Sequence, residues 1–237
     1  MPVSSFGERV AMIGMLLIGW YTPLHAAAVA ACILAPELFA TSWMWVPIGI
    51  ALLYLFPPLA ARTVMAAWGP TPSSATIGSR AFLRWWTLAQ LQLVFNRLPQ
   101  LEEVLRLVPG LYSAWLRLWG ARVGRLVFWS PGVVITDRQL VEVSEGAIVG
   151  MGVTLAAHLV LRDGDTTTRV ISAPVVVGAG AIVGGKAILG PGASIVSGET
   201  AHATVVLPPF WKWERGRRRR PAAHGRLDAT VAPWRRA

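Results

Sequence analysis

Cysteine, histidine and charged side chains are scarce in this chain. Its 237 residues include one cysteine and four histidines, and only 14% of them are charged. The single thiol of Cys32 excludes an internal disulfide framework and a zinc site built from several cysteines. Soluble proteins average about 25% charged residues. The low charge and a hydrophobic fraction of 54% therefore indicate that part of the chain lies in a membrane.

Positive charge is present but confined to one end. The net charge is +10, and the segment from Lys212 onward contributes +7 of it, from nine cations and two acids. The remainder is close to neutral and offers no basic groove, so we expect no nucleic-acid partner. Beside membrane segments, an Arg-rich tail is typical of a cytoplasmic position near anionic lipid headgroups.

Two long uncharged runs predict a transmembrane helical hairpin. Val10 to Leu34 spans 25 residues and Phe39 to Ala61 spans 23, with Pro36 and Glu37 between the two runs. Each run is long enough to cross a hydrocarbon core of about 30 Å as a helix. A cleavable signal peptide would be shorter, and no second span would follow it. The basic residues from Arg62 onward favour a cytoplasmic position for both ends, and thus the inner membrane.

Residues 76–119 mix tryptophan and leucine with arginine. Pro99 and Pro109 divide the stretch into short helices. Helices of this composition lie in the headgroup layer of a membrane or pack on a neighbouring domain. The sequence favours neither alternative.

A six-residue period begins after Gly120 and predicts a parallel β-helix. The recurring aliphatic residues, each followed in most cases by a small residue, are Val143, Val149, Leu155, Val177, Val183, Leu189, Ile195 and Ala201. Hexapeptide periodicity builds a triangular solenoid in which aliphatics point inward and glycines permit tight corners. The predicted domains are a hairpin with linker (1–75), interfacial helices (76–119), the β-helix (120–206) and a basic tail (207–237).

The repeat is interrupted once, by a polar segment that must leave the coil as a loop. That segment runs from Arg162 to Arg169, and His158 precedes it at a corner. An imidazole there, with an ordinary pKa of about 6.5, suits a general base, although a lone histidine is more often structural. Asp137 and Asp163 are the two carboxylates that we consider as partners of the ring. Either of them orients the ring or serves in a turn.

The segment around His158 resembles the hexapeptide-repeat acyltransferases, which include the galactoside, maltose and xenobiotic acetyltransferases. The resemblance rests on His158, the Arg162-Asp-Gly turn, Ala173-Pro174 and the following VVVGAGAIVG. Residues 152–159 also resemble a membrane domain at the C terminus of peptide synthetases of the polylysine-synthetase type. Together these likenesses cover roughly residues 115–205.

The two uncharged runs, the six-residue period and the resemblance together predict a mixed fold, with the helical hairpin and interfacial helices followed by a left-handed parallel β-helix. The resemblance implies a homotrimer whose active sites lie between solenoids, with His158 as the catalytic base. The acyl donor would be a CoA or carrier-protein thioester, a co-substrate rather than a tightly bound cofactor. The expected donor-binding residues, each of which has a purely structural role as its alternative, are Gly178, Gly180, Ala181, Gly184, Gly185 and Lys186.

The chain departs from the family at three places. The only asparagine is Asn96, the tryptophan often found at the position of Ile182 is absent, and the usual ending is replaced by an Arg tract. These departures leave acyl-CoA and acyl carrier protein both open as donors. A zinc site like that of the hexapeptide-repeat carbonic anhydrases needs three histidines with a close pair, so we expect no metal.

The function we expect is acyl transfer to a hydroxyl or amine of a lipid-linked or amphiphilic acceptor. It would take place at the cytoplasmic face of the membrane, with membrane lipid as a partner. The alternatives are aminoacyl transfer from a carrier-bound thioester with formation of a peptide bond, and a non-catalytic membrane scaffold.

Overall fold

The computed structural model describes residues 6–34, 44–163 and 167–220, and its helical part comes first. The helices in the described residues are α1 Phe6–Gly19, α2 Tyr21–Leu34, α3 Trp45–Tyr54, α4 Phe56–Trp68, α5 Arg80–Arg97, α6 Gln100–Arg106 and α7 Leu111–Trp119. A short strand, β1 Ser74–Thr76, lies between α4 and α5.

The first two helices supply one stretch with the length and hydropathy of a membrane span. Val10–Leu34 has 25 residues and a mean hydropathy of 1.6, and 17% of its most apolar window is buried. Leu16 and Leu17 are 71% and 68% exposed. A core helix of a soluble protein would bury such side chains. The first predicted run is therefore an exposed apolar helix, and its insertion in a membrane stays a prediction.

The second predicted run contains two helices instead of one. Helices α3 and α4 meet at Leu55 with a bend of 41°, next to Pro57 and Pro58 at the start of α4. Prolines fit the first turn of a helix but cannot continue one that precedes them. The predicted break at Pro36 and Glu37 lies outside the described residues. The transmembrane hairpin therefore stays a prediction.

Helix α5 lies between the apolar helices and the rest of the protein. On one side the Trp86 Nε1–H donates to the Met15 carbonyl of α1 over 3.1 Å. On the other, the Gln92 Nε2–H donates to Oε1 of Gln139 over 3.0 Å. One helix thus contacts both the predicted membrane segment and the solenoid described below.

The tryptophans of the predicted interfacial helices lie mostly inside the protein. Trp85 in α5 is 7% exposed, and Trp115 and Trp119 in α7 are 3% and 0% exposed. The Trp115 Nε1–H donates to the Tyr54 carbonyl over 2.8 Å. Of the two alternatives left open by the sequence, the structure shows packing on neighbouring elements for these rings.

Residues 122–214 form a three-sided solenoid, because the chain visits three parallel sheets in turn. The first sheet contains β2 Arg122–Val123, β5 Val141–Val143, β10 Val175–Val177, β13 Ser194–Ile195 and β16 Lys212–Glu214. The second contains β3 Phe128–Trp129, β6 Ile148–Val149, β11 Ile182–Val183 and β14 Thr200–Ala201. The third contains β4 Val134–Ile135, β7 Thr154–Leu155, β12 Ile188–Leu189 and β15 Val206–Leu207. These sheets fit the predicted β-helix, and its left-handed sense stays a prediction.

The interior of the solenoid follows the predicted period. Each of the eight recurring aliphatics is at most 1% exposed, which confirms that they point inward. The period continues beyond the predicted coils, since Leu207 and Trp213 are also buried. The strands extend past residue 206 to β16, and β17 Arg217–Arg219 then pairs with β16 in antiparallel orientation. The remaining tail, residues 221–237, lies outside the described residues.

The interruption in the repeat is a β-hairpin. Strand β8 His158–Asp163 pairs in antiparallel orientation with β9 Thr167–Ser172, and His158 lies opposite Ser172. Strand β1 extends this sheet along the other edge of β9. Residues 164–166 of the predicted loop lie outside the described residues. The hairpin leaves the solenoid wall at His158 and returns to it after Ser172.

Candidate active site

His158 and Asp137 lie at the same corner of the solenoid in successive coils. The chain passes from the third sheet to the first through residues 136–140 in one coil and residues 156–174 in the next. Asp137 begins the first of these connections, just before a 3-10 helix, Arg138–Leu140. His158 begins the hairpin in the second. The coil repeat therefore places a carboxylate and an imidazole beside each other although 21 positions separate them in the chain.

A short hydrogen bond joins the two side chains. The distance from His158 Nδ1 to Asp137 Oδ2 is 2.5 Å, and Asp137 is 1% exposed. The Thr136 hydroxyl donates to the same Oδ2 over 2.7 Å and accepts from the Ala157 amide over 3.1 Å. Because a carboxylate only accepts hydrogen bonds, Nδ1 carries the proton. The lone pair of the neutral ring therefore lies on Nε2.

Opposing effects set the pKa of His158. Burial disfavours the imidazolium and lowers the pKa, whereas the hydrogen bond to Asp137 and the charge of that carboxylate raise it. The two effects of Asp137 outweigh burial, so the pKa of His158 lies above its ordinary value. The ring is consequently a stronger base than a free histidine, and it is available as a base only above its raised pKa.

The rest of the imidazole is held by Trp85 and partly open to solvent. The Trp85 and His158 rings meet edge to face, with centroids 5.2 Å apart and planes at 70°. The His158 side chain is 28% exposed. Within the described part of the chain, no residue forms a hydrogen bond with its Nε2. The ring is thus fixed through Nδ1 and one indole, while Nε2 remains accessible to a substrate.

A buried arginine next to Asp137 ties this turn to helices α5 and α6. Arg138 is 1% exposed, and its guanidinium forms an ion pair with Glu102. Its Nη1–H donates to Asn96 Oδ1 over 2.9 Å, and its amide donates to Gln92 Oε1 over 2.7 Å. The Asn96 amide also donates to the Thr136 carbonyl over 3.2 Å. Buried charges need such partners, so helices outside the solenoid position the turn that carries Asp137.

The expected donor-binding residues lie at the two other corners of the solenoid. The corner from the first to the second sheet holds Gly178, Gly180 and Ala181. The corner from the second to the third sheet holds Gly184, Gly185 and Lys186. A single chain therefore does not bring these residues together with His158.

Packing alone accounts for the small size of several of them. A Cβ on Gly178 or Gly184 would lie 2.4 Å or 2.3 Å from a backbone nitrogen of the next coil. Ala181 is 0% exposed. In contrast, a Cβ on Gly180 would meet no atom within 4 Å, and Lys186 is exposed with its amide bonded to the Met151 carbonyl over 2.7 Å. Their contact with a donor stays a prediction.

Other residues at the corner carry no local sequence signal. Trp85 and Asn96 reach the site only through contacts between α5 and the solenoid, and Arg138, although next to Asp137 in the chain, is recognised only by its bonds to α5 and α6. The side chain of Asp163, the other carboxylate considered, lies outside the described part of the structure. In that part, no group of three or more His, Cys, Asp or Glu side chains could hold a metal ion.

No protein-family model and no curated protein matches this chain. Solved structures that resemble it include acetyltransferases. A hexapeptide-repeat acetyltransferase from Vibrio cholerae O1 biovar eltor, complexed with acetyl coenzyme A, is 14% identical over 51% of this chain and 84% of its own, with a TM-score of 0.34. A maltose O-acetyltransferase from Clostridium difficile 630 is 12% identical over 52% and 82%, with a TM-score of 0.27. Serine acetyltransferase isoform 3 from Entamoeba histolytica, in complex with cysteine, is 16% identical over 78% and 70%, with a TM-score of 0.21.

Proposed function

We propose that this chain is a membrane-associated acyltransferase in which His158 is the general base. The observation that carries the proposal is the hydrogen bond from His158 Nδ1 to the buried carboxylate of Asp137, which leaves Nε2 accessible at a solenoid corner. A carboxylate that holds one ring nitrogen is a common way to orient an imidazole for proton transfer at the other. The reaction class comes from the sequence resemblance to hexapeptide-repeat acyltransferases.

The reaction proceeds by direct attack on a thioester. His158 Nε2 accepts the proton of an acceptor hydroxyl or amine while the acceptor oxygen or nitrogen bonds to the thioester carbonyl carbon. Asp137 stabilises the imidazolium that forms. When the tetrahedral intermediate collapses, its carbon–sulfur bond breaks. The proton then passes from Nε2 to the leaving thiolate, so the products are an acylated acceptor and a free thiol.

Exposed apolar rows on two faces of the solenoid support assembly into a homotrimer. On the second sheet, the outward residues Phe128, Ile148 and Ile182 lie in register and are 60%, 38% and 37% exposed. On the third sheet, the outward residues Val134, Ile188 and Val206 are 38%, 44% and 47% exposed. The first sheet instead presents polar residues such as Arg122 and Lys212. Apolar rows of this kind are usually covered by a partner, and we propose that other copies of the chain cover them.

A trimer would also complete the site. The corner with Gly184, Gly185 and Lys186 lies between the two apolar faces, whereas His158 lies at the other edge of the third sheet. In a ring of three copies, that corner of one chain can approach His158 of the next. We propose that the thioester donor, acyl-CoA or acyl carrier protein, lies between copies along this corner. Gly178, Gly180 and Ala181 lie at the corner across the second sheet, so their contact with the donor stays a prediction.

The position of α5 supports an acceptor drawn from the membrane. Trp85 contacts His158, and the next residue, Trp86, is bonded to Met15 in the apolar helix. The base therefore lies close to the segment that we expect to cross the inner membrane. A lipid-linked or amphiphilic acceptor at the cytoplasmic surface fits this arrangement, and the cationic strand Arg217–Arg219 would face anionic lipid headgroups.

The proposal can be tested with the full-length protein in phospholipid nanodiscs. The donors are acyl-CoAs, acyl carrier protein and an aminoacyl carrier protein, and the readouts are thiol release and the mass of the product. We expect transfer by the wild type and a loss of about 10²–10⁴-fold in His158→Ala. His202→Ala, which removes a histidine that packs on Trp213, is the matched control and should retain activity. If no donor is consumed, or if His158→Ala is as active as the control, the proposed function is wrong.

A further inference from the structure

Two buried polar atoms beside His158 form no hydrogen bond in the described structure. They are the indole Nε1 of Trp85 and the hydroxyl Oγ of Ser172, in residues that are 7% and 3% exposed. A buried polar group without a partner costs about 1–3 kcal/mol, and folded proteins contain few of them. Their presence at a proposed catalytic corner therefore calls for a physical reason.

Both atoms belong to side chains that border the base. The indole of Trp85 contacts the imidazole directly, with the ring centroids 5.2 Å apart. Ser172 is the cross-strand partner of His158 in the hairpin. Directly opposed residues of an antiparallel pair point to the same face, with their Cβ atoms about 5 Å apart. An N–H donor and a hydroxyl thus flank the ring whose Nε2 accepts the proton.

Several comparable groups elsewhere in the protein are bonded. The neighbouring Trp86 Nε1–H donates to the Met15 carbonyl, and the Trp129 Nε1–H donates to the Ser113 hydroxyl over 2.9 Å. The indole nitrogens of Trp119 and Trp213 also have no partner, but neither ring contacts His158. At the corner of the base two such groups border the proposed base itself, whereas another unbonded pair, Tyr21 Oη and His25 Nε2, lies in α2 away from it.

We propose that Trp85 and Ser172 bind a second oxygen of the acceptor, next to the hydroxyl that His158 deprotonates. This inference rests on the proposed function and deepens it. An indole N–H can only donate, whereas a serine hydroxyl can donate and accept. A neighbouring hydroxyl of the acceptor can accept from Trp85 Nε1 and donate to Ser172 Oγ. At the same time, the reacting hydroxyl donates to His158 Nε2.

The pair therefore selects a class of acceptor. A 1,2-diol, as in a glycerol or sugar headgroup, satisfies both buried groups, whereas an alcohol with a single hydroxyl leaves them unbonded. Sites that hydrogen-bond a substrate hydroxyl reject analogues without it because their buried polar groups then lack partners. The acceptor would be an amphiphile whose headgroup carries adjacent oxygens.

The test compares two amphiphilic acceptors of equal chain length in nanodiscs, 1-monopalmitoylglycerol and 1-hexadecanol. The wild type should prefer the diol. Trp85→Phe and Ser172→Ala should each raise the KM for the diol about tenfold to a hundredfold, which corresponds to the loss of one buried hydrogen bond. The ratio of kcat/KM for the diol to kcat/KM for hexadecanol should therefore fall about tenfold to a hundredfold in each variant, whatever change the two acceptors share. Trp86→Phe is the matched control, since it also removes an indole, but one whose Nε1–H donates to the Met15 carbonyl. An equal fall in kcat with both acceptors would overturn the inference, because Trp85 and Ser172 would then act on a step that the acceptors share.

A second measurement does not depend on turnover. The ¹H–¹⁵N signal of the Trp85 indole is the one lost in Trp85→Phe, and it should shift when the diol is added but not when hexadecanol is added. If that shift occurs without any acyl transfer, the proposed function fails while the binding site stands. If transfer depends on His158 but the signal does not respond and the diol is not preferred, the inference is wrong and the proposed function stands.

Discussion

Replacement of Asp137 by asparagine should move the acid limb of the pH–activity profile to lower pH while reducing the rate. In the wild type, kcat/KM should rise as His158 loses its proton, with a midpoint above the ordinary histidine value. The two effects that raise this pKa both come from Asp137. Without its charge, burial remains and lowers the pKa. The midpoint for Asp137→Asn should therefore fall below that of the wild type, and below about 6.5.

The loss of rate follows from the tautomer. The carboxylate accepts from Nδ1, so the lone pair lies on Nε2. An asparagine amide can instead donate to Nδ1, which places the proton on Nε2 and prevents that atom from acting as a base. The contribution of a general base is about 10²–10⁴-fold, equivalent to about 3–5.5 kcal/mol of activation free energy. Most of this should be lost, because Asp137 is 1% exposed and solvent cannot readily replace it.

The same pair contributes to stability over a defined pH range. Because the folded pKa of His158 is raised, its contribution is fully present below the unfolded pKa and is lost as the pH rises through the folded pKa. Asp137→Asn should therefore destabilise the protein more at acidic than at alkaline pH. Unfolding monitored at several pH values checks this sign.

The assay is a pH profile of kcat/KM from about pH 5 to 9 in nanodiscs with a saturating thioester donor. Glu142→Gln is the matched control, since it neutralises a carboxylate that pairs with the exposed Arg122 on the first sheet. The control should keep the rate and midpoint of the wild type. If Asp137→Asn stays within about twofold of the wild type, or if its midpoint moves upward, Asp137 does not orient His158.

Three further variants, each with a matched control, test the supporting structure and the proposed assembly. Arg138→Met should lower the free energy of unfolding by about 3–5 kcal/mol, because it leaves the buried Glu102 without one of its ionic partners. Its control, Arg122→Met, removes an exposed ion pair and should change the free energy of unfolding by about 0.5 kcal/mol or less. Denaturant titration measures both values. Gly184→Ala should lower the free energy of unfolding by more than about 2 kcal/mol, since its Cβ would lie 2.3 Å from the Ala203 nitrogen. In the control Gly146→Ala, the Cβ meets no atom within 4 Å and only the φ of 67° is strained, so the loss should be about 1–2 kcal/mol. Equal losses in the two variants would contradict the claim that close packing requires glycine at residue 184. Ile182→Glu should convert trimers to monomers, whereas Ser194→Glu on the polar first sheet should not. Light scattering corrected for detergent measures the mass of both variants, and a monomeric wild type would refute the proposed assembly.

The β-helix could be predicted because its signal is local. Each coil repeats one pattern of aliphatic and small residues, so the period is visible without knowledge of any contact. The terminal coils place Trp129 and Trp213 where inner coils place aliphatics, so an aliphatic template misses them. The hairpin was not predicted, since a polar interruption indicates only that the chain leaves the solenoid wall. Its pairing with β1 joins segments about ninety residues apart.

The candidate site was predictable only in part, because most of its contacts join residues that are far apart in the sequence. His158 could be selected from its place before the interruption. Its bond to Asp137 depends on the stacking of two coils, and its contact with Trp85 depends on how α5 packs against the solenoid. The sequence left a turn and an orienting role open for Asp137, and the structure shows the bond to His158. Long-range packing of this kind leaves no periodic mark in a sequence.

The most direct test of the account compares lipid extracts by mass spectrometry. The extracts come from cells that lack this chain, cells that produce the wild type and cells that produce His158→Ala at an equal level in the membrane. The account predicts an acylated amphiphile that is made with the wild type and absent, or reduced at least about a hundredfold, with His158→Ala. If the cells that produce the wild type and the cells that produce His158→Ala contain the acylated product at equal levels, the claim that His158 is the base of an acyltransferase is contradicted.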